Sequence, residues 1–126
     1  MFKKMKILFS RIFSSLVDID ELFSRREKIN SIEKNKLVLL GENSHLHRES
    51  FITNMQENRN KISIGKYSNI RGHLQIFKQG GEIQIGDFCY LGENSKIWSA
   101  QSIKIGDRVL IAHNVNIHDN NTNRIL

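Results

Sequence analysis

The stretch Ile105-Gly106-Asp107-Arg108-Val109-Leu110-Ile111-Ala112-His113-Asn114-Val115-Asn116-Ile117-His118-Asp119 decides the fold. Ile105, Ile111 and Ile117 stand six residues apart, and Val109 and Val115 precede two of them by two. A helix repeats its apolar residues every 3.6 positions and a half-buried strand every two, so a period of six suits neither alone. Toward the N-terminus the same spacing returns in Ile85, Leu91 and Ile97, then in Ile64, Ile70 and Ile76, then in Leu40, Leu46 and Ile52. If each six-residue step is one short strand and a turn, three steps bring the chain back to its starting edge. The result is a stack of triangular coils, each with three parallel strands and one inward aliphatic residue per side. Ile62, Ile83 and Ile103 also sit two residues before an inward Ile and fill the same face by strand alternation.

The triplets begin at 40, 64, 85 and 105, so the coils are 24, 21 and 20 residues long. Whatever exceeds three hexads must bulge out at corners. The polar 54–61 stretch and the Gly-rich Phe77-Lys78-Gln79-Gly80-Gly81 stretch sit where such loops are needed. Gly41, Gly65, Gly86 and Gly106 each follow the first inward residue of a coil. A missing Cβ there eases a tight corner or a positive φ.

Upstream of about Leu40 the pattern changes. Ile7, Ile12, Leu16, Ile19 and Phe23 recur at helical spacing, and residues 1–36 hold nine Lys and Arg against five Asp and Glu. Most of the net charge of +6 therefore belongs to this leader. Residues 1–36 read as a basic helical cap that covers the open end of the solenoid, with weak contact to an anionic membrane surface as the functional alternative. Residues 37–126 read as the solenoid, about four coils.

Composition closes off several function classes. The one cysteine, Cys89, excludes an internal disulfide and, lying in an apolar run, reads as a small core or interface residue. No apolar run approaches the ~20 residues of a membrane span, and Arg11 interrupts any signal-like hydrophobic region. The expected location is cytoplasmic, peripheral at the inner membrane if the leader binds it. No metal-ligand spacing stands out. Nucleic acid is not an expected partner, because the basic leader has no aromatic platform beside it.

The units Ile64-Gly65-Lys66-Tyr67-Ser68-Asn69, Ile85-Gly86-Asp87-Phe88-Cys89-Tyr90 and Ile105-Gly106-Asp107-Arg108-Val109-Leu110 resemble those of the hexapeptide-repeat acyltransferases. The 105–119 stretch is similar to the branch containing maltose, galactoside and nodulation-factor O-acetyltransferases, and most of all to enzymes that O-acetylate lipopolysaccharide, capsule or exopolysaccharide sugars. The likeness covers about two thirds of the chain. It implies a left-handed parallel β-helix, a homotrimer, and transfer of an acetyl group from acetyl-CoA to a sugar hydroxyl, with a histidine as general base and no metal.

In that family the base lies just past the segment matching Ile117-His118-Asp119, in a loop reading Asp-x-x-x-His. Here the loop reads Asp119-Asn120-Asn121-Thr122-Asn123, so Asn123 stands at the position of the base. An amide cannot take up a proton at any useful pH. The chain also ends at Leu126, where relatives run on through further coils that build the CoA surface, so an inactive, truncated member is expected as readily as an active one. His118 should face outward toward an acceptor, with Asp119 beside it to orient it or a substrate hydroxyl, and Trp98 and Asn94 of the preceding coil are further candidate substrate contacts. For Trp98, packing at a subunit interface is the competing role. His113 reads as structural or interfacial, and His45, His47 and His73 fall in early coils away from the expected chemistry. Two other readings remain open at this level: a catalytically silent trimeric scaffold, and a transferase with an amino acceptor.

Overall fold

A computed structural model describes Arg25 and residues 30–119. The chain divides into two compact units, residues 1–31 and 32–126. Of the first, the described residues are Arg25, Asn30 and Ser31, all helical. The remainder of the expected basic helical leader lies outside the described residues, as does Asn123. The second unit opens with helical residues 32–36 and continues as a parallel β-solenoid.

Twelve short strands form the solenoid: β1 (Leu39–Leu40), β2 (His45–Leu46), β3 (Phe51–Asn54), β4 (Ile62–Ile64), β5 (Asn69–Ile70), β6 (His73–Ile76), β7 (Ile83–Ile85), β8 (Tyr90–Leu91), β9 (Lys96–Ser99), β10 (Ile103–Ile105), β11 (Leu110–Ile111) and β12 (Asn116–His118). They stack into three sheets ordered β1-β4-β7-β10, β2-β5-β8-β11 and β3-β6-β9-β12. Every pairing is parallel. Four coils with three parallel sheets are consistent with the left-handed β-helix that the resemblance implies.

The register follows the six-residue period on two sides. Leu40, Ile64, Ile85 and Ile105 pair in sequence along the first sheet. Leu46, Ile70, Leu91 and Ile111 do so along the second. On the third side the expected ladder is corrected. Ile52 pairs with Leu74, which pairs with Ile97, which pairs with Ile117; Ile76 pairs with Asn54 and Ser99 instead. The second coil goes from Ile70 to Leu74 in four residues, where the others take six, because its corner holds only Arg71, Gly72 and His73. Strand alternation still turns Ile76 inward, so both Leu74 and Ile76 are fully buried.

The corners rest on side-chain ladders. Ser68 Oγ donates to Gly86 O (2.9 Å) and accepts from the Cys89 amide (3.0 Å). Cys89 Sγ donates to Gly106 O at 3.0 Å, which places the lone thiol in the core. Left-handed backbone occurs at Asn43, Tyr67, Phe88 and Arg108, three residues past the inward residue, and not at the recurring glycine that follows it. In the first three coils that glycine serves close approach: a Cβ on Gly41 would come 2.4 Å from Gly65 O.

Candidate functional site

The outer face of the third sheet carries a continuous set of polar and aromatic side chains. The register places Phe51, His73, Lys96 and Asn116 in one column running across the coils, and Thr53, Gln75, Trp98 and His118 in the next. Trp98 Nε1–H donates to His73 Nδ1 (3.3 Å), and His73 Nε2 lies 2.9 Å from Thr53 Oγ1. Because indole nitrogen only donates, Nδ1 must be the unprotonated nitrogen; Nε2–H then donates to the threonine. Burial, and then the neighbouring Lys96 ammonium, hold the His73 pKa below its ordinary value. The imidazole is thus neutral, with both nitrogens engaged.

The rings are packed edge to face. His73 meets Trp98 at 5.7 Å and 79°, and meets Phe51 at 6.0 Å and 66°. Lys96 Nζ sits 5.4 Å from the centre of the Trp98 ring. Two grooves flank this cluster. Lys96, Trp98, Asn116, Ile117 and His118 line one. The other is lined by Phe51, His73 and Lys96 together with Glu49, Arg71, Glu93 and Asn94.

The sequence-predicted residues divide accordingly. Trp98 and His118 are brought side by side on one groove. Asn94 sits at the corner before β9, in left-handed backbone, with its Nδ2 donating to Asn114 Oδ1 at 2.7 Å; it belongs to the second groove. Asp119 turns back onto the preceding coil, where its carboxylate accepts from Ser99 Oγ (2.9 Å) and from the amides of Ala100 (2.6 Å), Gln101 (3.1 Å) and Ser102 (2.7 Å). Burial pushes its pKa up, but these bonds overrule it and hold the carboxyl below its ordinary range. His113 lies on a different corner with Arg71, Tyr90 and Glu93.

His73, Lys96 and Thr53 were not legible as site residues. A strict hexad sets Ile76 against Ile97 and therefore Gln75 against Lys96. The shortened corner moves the strand by two residues and puts His73 there instead. The one signal in the sequence was the Leu74/Ile76 pair, either of which could fill the inward position.

Comparison of the chain with protein-family models, with curated proteins and with solved structures finds no match. Among the described residues, no cluster of His, Cys, Asp and Glu is placed to hold a metal ion, and no helix is long and apolar enough to cross a membrane.

Proposed function

We propose that the chain is a hexapeptide-repeat transferase of the O-acetylating kind, taking an acetyl group from acetyl-CoA to a hydroxyl of a sugar or cell-surface polysaccharide, as a homotrimer. The observation that carries this reading is the Trp98–His118 groove on the outer face of a hexad solenoid, where the 105–119 stretch that resembles that branch meets the coil before it. In the reaction the sugar oxygen attacks the thioester carbonyl, its proton passes to a base, and CoA leaves as the thiol. His73 is not that base as it stands, because Trp98 occupies its only lone-pair nitrogen. Asn123 cannot take the proton either. His118 is the imidazole that borders the groove among the described residues.

The test is release of free CoA thiol and formation of base-labile O-acetyl ester when the chain is mixed with acetyl-CoA and a panel of bacterial polysaccharides. Turnover abolished by His118→Gln supports an active enzyme with His118 as base. Turnover gained only by Asn123→His supports the family assignment with a silent native site.

A catalytically silent trimeric module is the second reading. Exposed apolar side chains on the sides of the coils favour it, namely Phe51 (68%), Phe88 (55%) and Leu110 (74%). A well-folded trimer in light scattering, with no thiol release from either the native chain or Asn123→His, would select it.

A further inference from the structure

The two grooves beside Trp98 differ in charge. The Asn94 side carries Glu49 and Glu93; Glu49 accepts from Arg71 Nη1, and Glu93 also lies close enough to act on that guanidinium. An added anion there would meet two carboxylates, and the Arg71 and Lys96 cations of the same wall leave it formally balanced, with Arg71 already engaged by Glu49. Among the described residues, the His118 side has no carboxylate in its wall. Its neighbour Asp119 is saturated by four donors of its own chain. Lys96 forms no ion pair with any carboxylate among the described residues, and its ammonium rests on the indole face. A half-buried contact of that kind is weaker than a charge-assisted bond and is exchanged for a charged partner.

The indole itself is held. His73 fixes Nε1, Thr53 fixes His73, and Phe51 closes the far side of the imidazole. A plate whose orientation is set before the ligand arrives loses little freedom on binding. Such a plate suits the C–H face of a pyranose, and the ammonium, on leaving the indole face, suits a carboxylate on the same ring.

Resting on the carbohydrate reading above, we propose that this groove takes an acidic saccharide, with the sugar ring stacked on Trp98 and its carboxylate paired with Lys96. Asn116, in the column of Lys96, and His118, in the column of Trp98, border the ring on the next coil.

Trp98 is the one tryptophan of the sequence, so its emission reports on the site directly. The experiment titrates the full chain, at physiological salt, with oligogalacturonate, with a neutral oligogalactoside of the same length, and with polyglutamate. Oligogalacturonate is expected to shift the emission saturably, and Lys96→Gln to weaken it by about tenfold or more, as loss of a charge-assisted bond does. Lys96→Arg should restore much of the loss, the neutral oligomer should bind more weakly and be indifferent to Lys96, and polyglutamate should not compete. Equal binding of acidic and neutral sugars, indifference of the acidic sugar to Lys96→Gln in a chain with an unchanged melting temperature, equal binding of polyglutamate, or no response to any of the three overturns the proposal. The same preparation is assayed for O-acetylation of both oligosaccharides. Transfer to the neutral one alone removes the acidic substrate class and leaves the transferase reading standing; binding without transfer does the reverse.

Discussion

The indole N–H of Trp98 donates to the unprotonated Nδ1 of His73, two residues that lie 25 apart in sequence and on adjacent coils. This bond exists only while the imidazole is neutral. Protonation puts a hydrogen on Nδ1, removes the acceptor and leaves a cation beside both the indole and Lys96.

Trp98 emission should therefore change as pH falls, with a midpoint below the ordinary histidine value of 6.5, since burial and Lys96 depress the His73 pKa. The sign for stability is fixed by the same shift. The unfolded chain takes up the proton first, so the contribution of neutral His73 is present above pH 6.5 and is lost as pH falls from there through the depressed value. His73→Gln should erase the spectroscopic midpoint while His118→Gln keeps it. A midpoint that survives His73→Gln would show that another group reports.

Asp119 offers a different test, because its carboxylate serves the fold whether or not it serves a substrate. Asp119→Ala leaves the amides of Ala100, Gln101 and Ser102 without their shared acceptor. The expected cost is about 1–3 kcal/mol, read as a lower melting temperature or denaturant midpoint. With its pKa depressed, the carboxylate's contribution holds above the ordinary value of 3.8 and fades as pH falls below it. An Asp119→Ala chain as stable as the parent, but defective in saccharide binding, would make Asp119 a substrate contact instead.

The solenoid was readable from sequence because its core repeats one chemical choice at a fixed step. Ile64, Ile85 and Ile105 each announce the same inward position, and their pairing follows. The site was less readable, because outward residues carry no period and depend on register. At the third side both Leu74 and Ile76 satisfy the apolar requirement, and alternation buries both. Only the length of the 71–73 corner separates the two registers, and a corner length leaves no mark on hydrophobic spacing. The sequence expectation for Asp119, orienting His118 or a substrate hydroxyl, rests only on its place beside His118. The alternation that exposes its neighbour His118 says nothing about a carboxylate that turns to collect amides from the coil beneath.

The short corner makes its own prediction. Gly72 packs so closely on the next coil that a Cβ would lie 2.4 Å from Ser95 O and 2.9 Å from Leu91 Cδ2. The carbonyl is backbone and cannot step aside, so Gly72→Ala must strain or widen the corner. The expected loss is about 1–3 kcal/mol, as for other overpacked positions. Since His73 follows directly, the same substitution should loosen the Trp98–His73 bond and shift Trp98 emission at neutral pH. Gly106→Ala is the control, with nothing within 4 Å of its added Cβ. Equal stability of the two variants would mean that the corner is not packed as described.

The hydroxyl and thiol ladder inside the first corner can be probed at Ser68 and Cys89. Ser68 is fully buried and takes part in bonds to both the Gly86 carbonyl and the Cys89 amide. Ser68→Ala leaves both backbone groups unsatisfied in a dry site, at an expected cost of about 1–3 kcal/mol. Cys89, 4% exposed and bonded to Gly106 O, should react with an aromatic disulfide reagent only as fast as the coil opens. Ser68→Ala should accelerate that reaction, since it weakens the segment that shields the thiol, while leaving the fully denatured rate unchanged. Rapid labelling of Cys89 in the native parent, at the rate of the denatured chain, would place the thiol at the surface and break the ladder on which the corner is argued to rest.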